Sequence, residues 1–90
     1  MPFYIYIIRS TLDETFYKGF TTDPERRLEE HNNGLSRYTS AKIPWELVYL
    51  EIHDDKTQAL KREKVLKKYS HQQIIALITS GKNQLNNYRK

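Results

Sequence analysis

The sequence predicts a single small α/β domain of the α+β kind, with a three-stranded antiparallel sheet flanked by about three helices. Three stretches of alternating aromatic and β-branched residues indicate the strands, and three stretches with helix-capping signals indicate the helices. Ninety residues, 38% of them hydrophobic, suffice for one core. We therefore expect one domain over residues 1–80 and a polar C-terminal tail over residues 81–90.

The composition excludes several classes of protein. The chain has no cysteine, so a disulfide framework and a cysteine zinc site are excluded. No stretch approaches the roughly 18 apolar residues of a membrane helix, and the chain begins directly on a strand pattern rather than on a leader. We therefore expect a cytoplasmic protein that does not contact membranes. Fifteen Lys and Arg against 11 Asp and Glu indicate a mild bias towards polyanionic partners.

The first two strands are predicted to form a hairpin with two tyrosines on one face. Residues 3–8 alternate as a strand. A period of two places on one face Phe3, Ile5 and Ile7, and on the other face Tyr4, Tyr6 and Ile8. A polar loop leads to the returning strand, residues 15–20, in which Tyr17 and Gly19 share a face. Antiparallel pairing then allows Tyr17 to share a sheet face with Tyr6.

A short helix with clear signals at both ends follows the hairpin. Asp23 is a good N-cap, Pro24 suits the first helical position, and Gly34 suits the left-handed position after the last turn. At 100° per residue, Arg27 and His31 lie together on one side of this helix. They can project jointly over the sheet face, or they can be a solvated pair with a nearby glutamate.

The loop over residues 35–44 is basic, contains several Ser and Thr residues, and is long for so small a domain. Arg37, Tyr38 and Lys42 are its candidate nucleic-acid contacts, and we expect them to reach the phosphate backbone. A loop that is merely solvated is the alternative.

The rest of the predicted core comes from a third strand and a third helix. Residues 45–52 alternate as a strand, which places Val48 and Leu50 on the same face. Ser70 starts the third helix, which ends near Gly81.

The second helix, capped by Asp54 or Asp55, carries a carboxylate inside its apolar arc, at Glu63. Burying this carboxylate without a partner would cost several kcal/mol. It must therefore reach the rim of a cleft, hold a metal, or pair with a cation such as Arg27 or Arg62. The opposite, solvated face carries three lysines, Lys61, Lys64 and Lys68.

These features resemble the GIY-YIG nuclease domain, in particular its small single-domain bacterial branch, over nearly the whole chain. The two defining motifs of that family match Tyr4–Tyr6 and Tyr17–Gly19, on the two strands that the pattern predicts. Tyr4 replaces the glycine of the first motif, and Lys18 replaces the central isoleucine of the second. Neither replacement removes a group that is expected to do chemistry.

The resemblance also implies roles for individual residues. Arg27 would bind the scissile phosphate, and Glu63 would hold one divalent cation, Mg²⁺ or Mn²⁺. Tyr6 would act as the general base or position it, and Tyr17 would orient the water or the phosphate. His31 matches a frequent histidine one turn after the arginine. Without the resemblance, the two tyrosines would be interpreted as ordinary sheet aromatics.

The function that the resemblance implies is metal-dependent endonucleolytic cleavage of DNA rather than RNA, on structured or branched DNA in repair or recombination. A non-catalytic nucleic-acid-binding module on the same scaffold is the alternative, and a structural protein with incidental charge is a third. Most family members attach a targeting domain, and we expect none here. Low intrinsic specificity, a homodimer and a targeting partner protein are therefore all open.

Overall fold

A computed structural model describes residues 1–89 and confirms the α+β fold class. Its elements in chain order are β1 (Phe3–Ser10), β2 (Phe16–Thr21), α1 (Pro24–Asn32), β3 (Trp45–His53), α2 (Lys56–Leu66), α3 (His71–Ile78) and α4 (Leu85–Tyr88). The strands form one antiparallel sheet in the order β2-β1-β3. The described residues thus contain one more helix than predicted. Lys90, the last residue of the predicted tail, lies outside the described residues.

The central strand β1 divides the hydrophobic core into two layers. Ile5 and Ile7 pack towards α2 and α3, whereas Tyr6 and Ile8 pack towards α1 and α4, and all four side chains are buried. The alternation of the sequence therefore predicts the two faces of β1 correctly. Tyr6 lies on the α1 side of the sheet, where a residue of α1 can reach it.

The prediction that Val48 and Leu50 share a face is wrong. The register of β3 against β1 shifts between Ile7 and Ile8, which is the signature of a β-bulge. Val48 consequently packs against the core layer of α2 and α3, and Leu50 belongs to the layer of α1 and α4. An extra residue in one strand breaks the period of two that the prediction assumes.

The helix starts follow the predicted capping signals. The Asp23 side chain accepts a hydrogen bond from Arg26 N at 3.2 Å. Asp55 caps α2 by accepting from the backbone of Thr57, and Ser70 forms a capping box at the start of α3. Within residues 1–89, none of the helices has the length and apolarity that crossing a membrane requires.

Residues 81–89, predicted as a polar tail, dock instead along the free edge of β3. The backbone N–H of Gln84 donates to Leu50 O at 2.8 Å, and its side-chain oxygen accepts from Ile52 N at 2.8 Å. Tyr88 of α4 packs against the core layer of Tyr6. These bonds satisfy groups that an edge strand otherwise leaves unpaired. The domain boundary at residue 80 stays a prediction.

Candidate active site

Tyr6 of β1 lies directly over Gly19 of β2. The two residues pair in the strand register, and a Cβ atom at position 19 would lie 2.5 Å from the ring and hydroxyl of Tyr6. Only glycine leaves room for the ring to lean across β2. The Tyr17 ring lies on the same face, with its centroid 6.4 Å from that of Tyr6, which confirms the predicted shared face.

We expect Gly19→Ala to displace Tyr6 and to lower the free energy of unfolding by about 1–3 kcal/mol, the usual range for overpacking. The new methyl group would overlap a ring that is itself held from the other side. Chemical denaturation measures the effect, with Gly81→Ala as the matched control because nothing lies within 4 Å of that position. Equal stability of both variants would show that the Tyr6 ring moves without cost.

His31 is fully buried between Tyr6 and Thr39. Its Nε2 atom lies 2.8 Å from the Tyr6 hydroxyl oxygen, and its Nδ1 atom lies 2.7 Å from Thr39 Oγ1. The Thr39 hydroxyl donates to Ser36 O at 3.4 Å, so it accepts from Nδ1–H of His31. Nε2 then carries no proton and accepts from the Tyr6 hydroxyl.

The same burial keeps His31 neutral. Burial lowers the pKa of His31 to about 4, and the nearby Arg27 cation acts in the same direction. At pH 7 the ring therefore holds a single proton, which the contact with Thr39 places on Nδ1. The unprotonated Nε2 atom accepts the hydrogen bond of the Tyr6 hydroxyl and thereby fixes its direction.

Thr39 is the site residue that sequence reasoning missed. It lies in the 35–44 loop and is fully buried, and the Trp45 indole N–H donates to its backbone carbonyl at 2.9 Å. A loop threonine carries no sequence signal that pairs it with a helix histidine. The loop therefore contributes a buried hydroxyl to this site.

Arg27 approaches the Tyr6 hydroxyl from α1. Its Nη1 donates to Glu30 Oε1 at 2.8 Å, and its side chain is 31% exposed. It lines a small cavity of about 150 Å³ beside Asp23. The alternative that Arg27 pairs with a neighbouring glutamate is therefore correct, whereas a solvated His31 is wrong because that ring is buried.

The pKa of Tyr6 reflects the charged groups around it. Burial raises the pKa of Tyr6 to about 12, Arg27 opposes this rise, and Tyr17 and Glu63 add to it. Arg27 belongs to α1 and Glu63 belongs to α2, yet both act on one hydroxyl. Charged groups of both helices thus affect the pKa of Tyr6, and the influence of Glu63 is the smallest of them.

Glu63 does not pair with either of its predicted partners. Its side chain is 16% exposed, and its ion pair within residues 1–89 is with Lys67, at 3.5 Å. Arg27 pairs with Glu30, and Arg62 pairs with Glu51 across the core. Among the described residues, the Glu63 carboxylate is thus paired with Lys67 alone, and at a long distance.

The surroundings of Glu63 suit a cation that takes one ligand from the protein and the others from water and a substrate. Among the described residues, no group of three or more His, Cys, Asp or Glu side chains could hold a metal. Mg²⁺ is commonly bound through one or two carboxylates, several waters and substrate phosphates. The single carboxylate of Glu63 suits that mode.

The three loop residues predicted to contact nucleic acid differ in how freely their side chains could reach it. Tyr38 is 84% exposed and Arg37 is also exposed. The Lys42 amine lies 2.7 Å from Asp13 Oδ2 and 3.1 Å from Thr15 Oγ1, which lowers the pKa of Asp13. Lys42 therefore ties the loop to the β1–β2 turn and would have to leave Asp13 to reach a phosphate.

A second polar cluster, around Glu51, lies on the opposite face of the sheet. Glu51 accepts hydrogen bonds from Arg62 Nε at 3.0 Å and from the Tyr49 hydroxyl, and it contacts His53 Nε2 at 2.9 Å. These bonds lower the pKa of Glu51 although burial opposes them. A cavity of about 530 Å³ opens beside Glu51 and Arg62. Because these charges are paired, the cluster holds β3 to α2.

The fold and the site together define the class of small nuclease domains. The family model described as the GIY-YIG catalytic domain matches residues 2–74. This chain belongs to the GIY-YIG family, whose members are generally endonucleases that act on nucleic acid with a divalent metal.

Relatives of the same size support this assignment. A UPF0213 protein of Staphylococcus saprophyticus is 43% identical over 79 residues, covering 87% of this chain and 95% of the relative. A UPF0213 protein of Clostridium perfringens is 39% identical, covering 97% and 94%. The solution NMR structure of the UPF0213 protein BH0048 from Bacillus halodurans superposes with a TM-score of 0.59 at 29% identity, covering 98% of this chain and 94% of that chain. None of these names states an activity.

Proposed function

We propose that this protein is a divalent-metal-dependent endonuclease that cleaves DNA, with structured or branched DNA as the preferred form. The observation that carries the proposal is the buried contact of 2.8 Å between the Tyr6 hydroxyl and His31 Nε2, beside Tyr17, in a chain that the GIY-YIG catalytic-domain model matches over residues 2–74. Arg27 pairs with Glu30 and Glu63 pairs with Lys67, so Arg27 and Glu63 do not neutralise each other. The cysteine-free sequence suits a cytoplasmic enzyme.

Arg27 and Glu63 would stabilise the charge that develops on the phosphate. The guanidinium can form parallel hydrogen bonds to non-bridging oxygens, because a fork of donors matches phosphate geometry. Glu63 would hold the divalent cation, which when bound supplies positive charge and lowers the pKa of a water. Tyr17, whose ring centroid lies 5.1 Å from that of His31, would orient the water.

Tyr6 and His31 would move the proton of the attacking water. As the water oxygen bonds to phosphorus, its proton passes to the Tyr6 oxygen, and the Tyr6 proton passes to His31 Nε2. The bond from phosphorus to the leaving oxygen breaks, and that oxygen takes a proton from solvent. Burial is the main cause of the low pKa of His31, and the Arg27 cation adds to it. A phosphate anion at Arg27 would offset the second cause, so substrate binding would make the imidazole a better acceptor.

We expect Thr39→Val to slow cleavage and to destabilise the fold by about 1–3 kcal/mol, because a buried N–H of His31 loses its acceptor. Thr39→Ser keeps the hydroxyl and should retain both the activity and the imidazole tautomer. The tautomer is measured directly from the ¹⁵N shifts of His31. If Thr39→Val left those shifts unchanged, Thr39 would not be the group that sets the tautomer.

Cleavage and binding separate the proposal from its main alternative. An endonuclease converts duplex or branched DNA to shorter products with Mg²⁺ or Mn²⁺ and stops when the metal is chelated. A binding module on this scaffold would show salt-sensitive binding with no metal-dependent product. We propose further that a homodimer or a targeting partner protein supplies specificity, which sedimentation of the free and DNA-bound protein tests.

A further inference from the structure

The net positive charge of the chain is concentrated on one helix. Residues 56–68, which comprise α2 and the turn after it, contain six Lys and Arg residues and one carboxylate. The other 77 residues contain nine Lys and Arg residues and ten carboxylates. The remainder of the protein is therefore close to neutral, and long-range attraction of a polyanion must act mainly through α2.

Most of this charge faces solvent. Arg62 is turned inward to Glu51, whereas all the lysines of the segment are exposed. We call these exposed residues the lysine face: Lys56, Lys61, Lys64, Lys67 and Lys68. Only Lys67 has an ion-pair partner within residues 1–89, and it is Glu63. The lysine face is thus largely uncompensated.

The lysine face begins at the candidate active site. At 100° per residue, Lys56 and Lys67 lie within about 40° of Glu63 around the helix axis, and the other three lysines continue the arc away from it. Lys18 lies on β2, which packs against α2, and burial together with the charge of Lys67 lowers its pKa. Like charges are therefore collected beside Glu63.

We propose that the lysine face of α2 binds the phosphate backbone of the DNA strand that leaves the candidate active site at Glu63. This inference rests on the proposed function, which makes DNA the partner that binds here. The segment rises by about 18 Å from end to end, a length of duplex that carries about ten phosphate charges. A backbone held at Glu63 would have Lys56 and Lys67 beside it, and it would meet the other three lysines as it passes around α2.

The test is the salt dependence of DNA binding, measured with metal chelated so that no cleavage occurs. The lysine variant combines Lys61→Gln, Lys64→Gln and Lys68→Gln, and none of the three touches the candidate catalytic groups. The control variant removes the same charge away from α2 through Arg9→Gln, Lys82→Gln and Arg89→Gln. Anisotropy of a fluorescent duplex over a series of salt concentrations gives the slope of log Kobs against log salt for each protein.

We expect the slope of the lysine variant to be shallower than that of the wild type by about 2.7. Each lost phosphate contact reduces the magnitude of the slope by about 0.9 on duplex DNA. On a single-stranded oligonucleotide the fall should be about 2.1. The control variant should keep a slope near that of the wild type. Equal slopes for the lysine variant and the wild type, or equal losses in both variants, would overturn the proposal.

A parallel cleavage assay separates this proposal from the proposed function. If the wild type cuts DNA while the lysine variant keeps the wild-type slope, the lysine face is only solvated and the nuclease stands. If the slope depends on the lysines but no metal yields product, the binding surface stands and the nuclease is overturned. A wild type that binds no DNA at low salt overturns both.

Discussion

Replacing Arg27 by alanine should reduce the rate of DNA cleavage at least ~100-fold while the fold persists. Removing one well-placed donor to developing negative charge typically lowers kcat by about 10²–10³. Arg27 is the arginine that interacts with the Tyr6 hydroxyl, and its charge opposes the rise that burial causes in the pKa of Tyr6. Single-turnover cleavage measures the loss, and thermal unfolding shows whether the fold is kept.

Arg26→Ala is the matched control for this prediction. Arg26 precedes Arg27 on α1, contacts the same Glu30 at 3.5 Å, and is 76% exposed. Arg26→Ala changes the net charge by the same amount as Arg27→Ala, but no candidate catalytic group depends on Arg26. Equal cleavage by the Arg27→Ala variant and the wild type would remove Arg27 from the site, and equal loss in both variants would reduce its role to general charge.

Glu63→Gln should have the second large effect, the loss of metal-dependent cleavage. Glutamine keeps the shape of the side chain but removes the negative charge that a hard cation prefers. Metal binding can be measured without activity, because the unpaired electrons of bound Mn²⁺ broaden the NMR signals of nearby residues. We expect broadening of Tyr6 and Tyr17 in the wild type and none in the Glu63→Gln variant.

Glu29→Gln serves as the control for that experiment. Glu29 is an exposed carboxylate of α1, so its loss changes the net charge as Glu63→Gln does and leaves the candidate site intact. The Glu29→Gln variant should show the same Mn²⁺ broadening of its NMR signals and the same cleavage rate as the wild type. Broadening of Tyr6 that persists in the Glu63→Gln variant would show that the metal is held elsewhere.

The parts of this fold that depend on local chemistry could be predicted from the sequence. Capping residues such as Asp23 and Ser70 act on neighbouring backbone groups, and their positions therefore mark the helix starts without tertiary information. The shared face of Tyr6 and Tyr17 follows from a period of two and antiparallel pairing. The bulge at Val48 could not be foreseen, because it is set by packing on both faces of the sheet.

The candidate site was predictable in its residue types but not in its connections. Arg27 and Glu63 are separated by 36 positions and lie on two different helices, so their places relative to Tyr6 depend on tertiary packing. The position of Thr39 depends on the path of a loop, which no periodicity describes. The edge contacts of Gln84 were missed because amide side chains give the segment a polar composition typical of a tail.

The most direct test of the central claim is cleavage of a panel of single-stranded, duplex, flap and branched DNA by the purified protein with Mg²⁺ or Mn²⁺. The account predicts that the wild type cuts at least one of these substrates, and that Arg27→Ala and Glu63→Gln proteins of native fold do not. Cleavage by both variants at the wild-type rate would contradict the account.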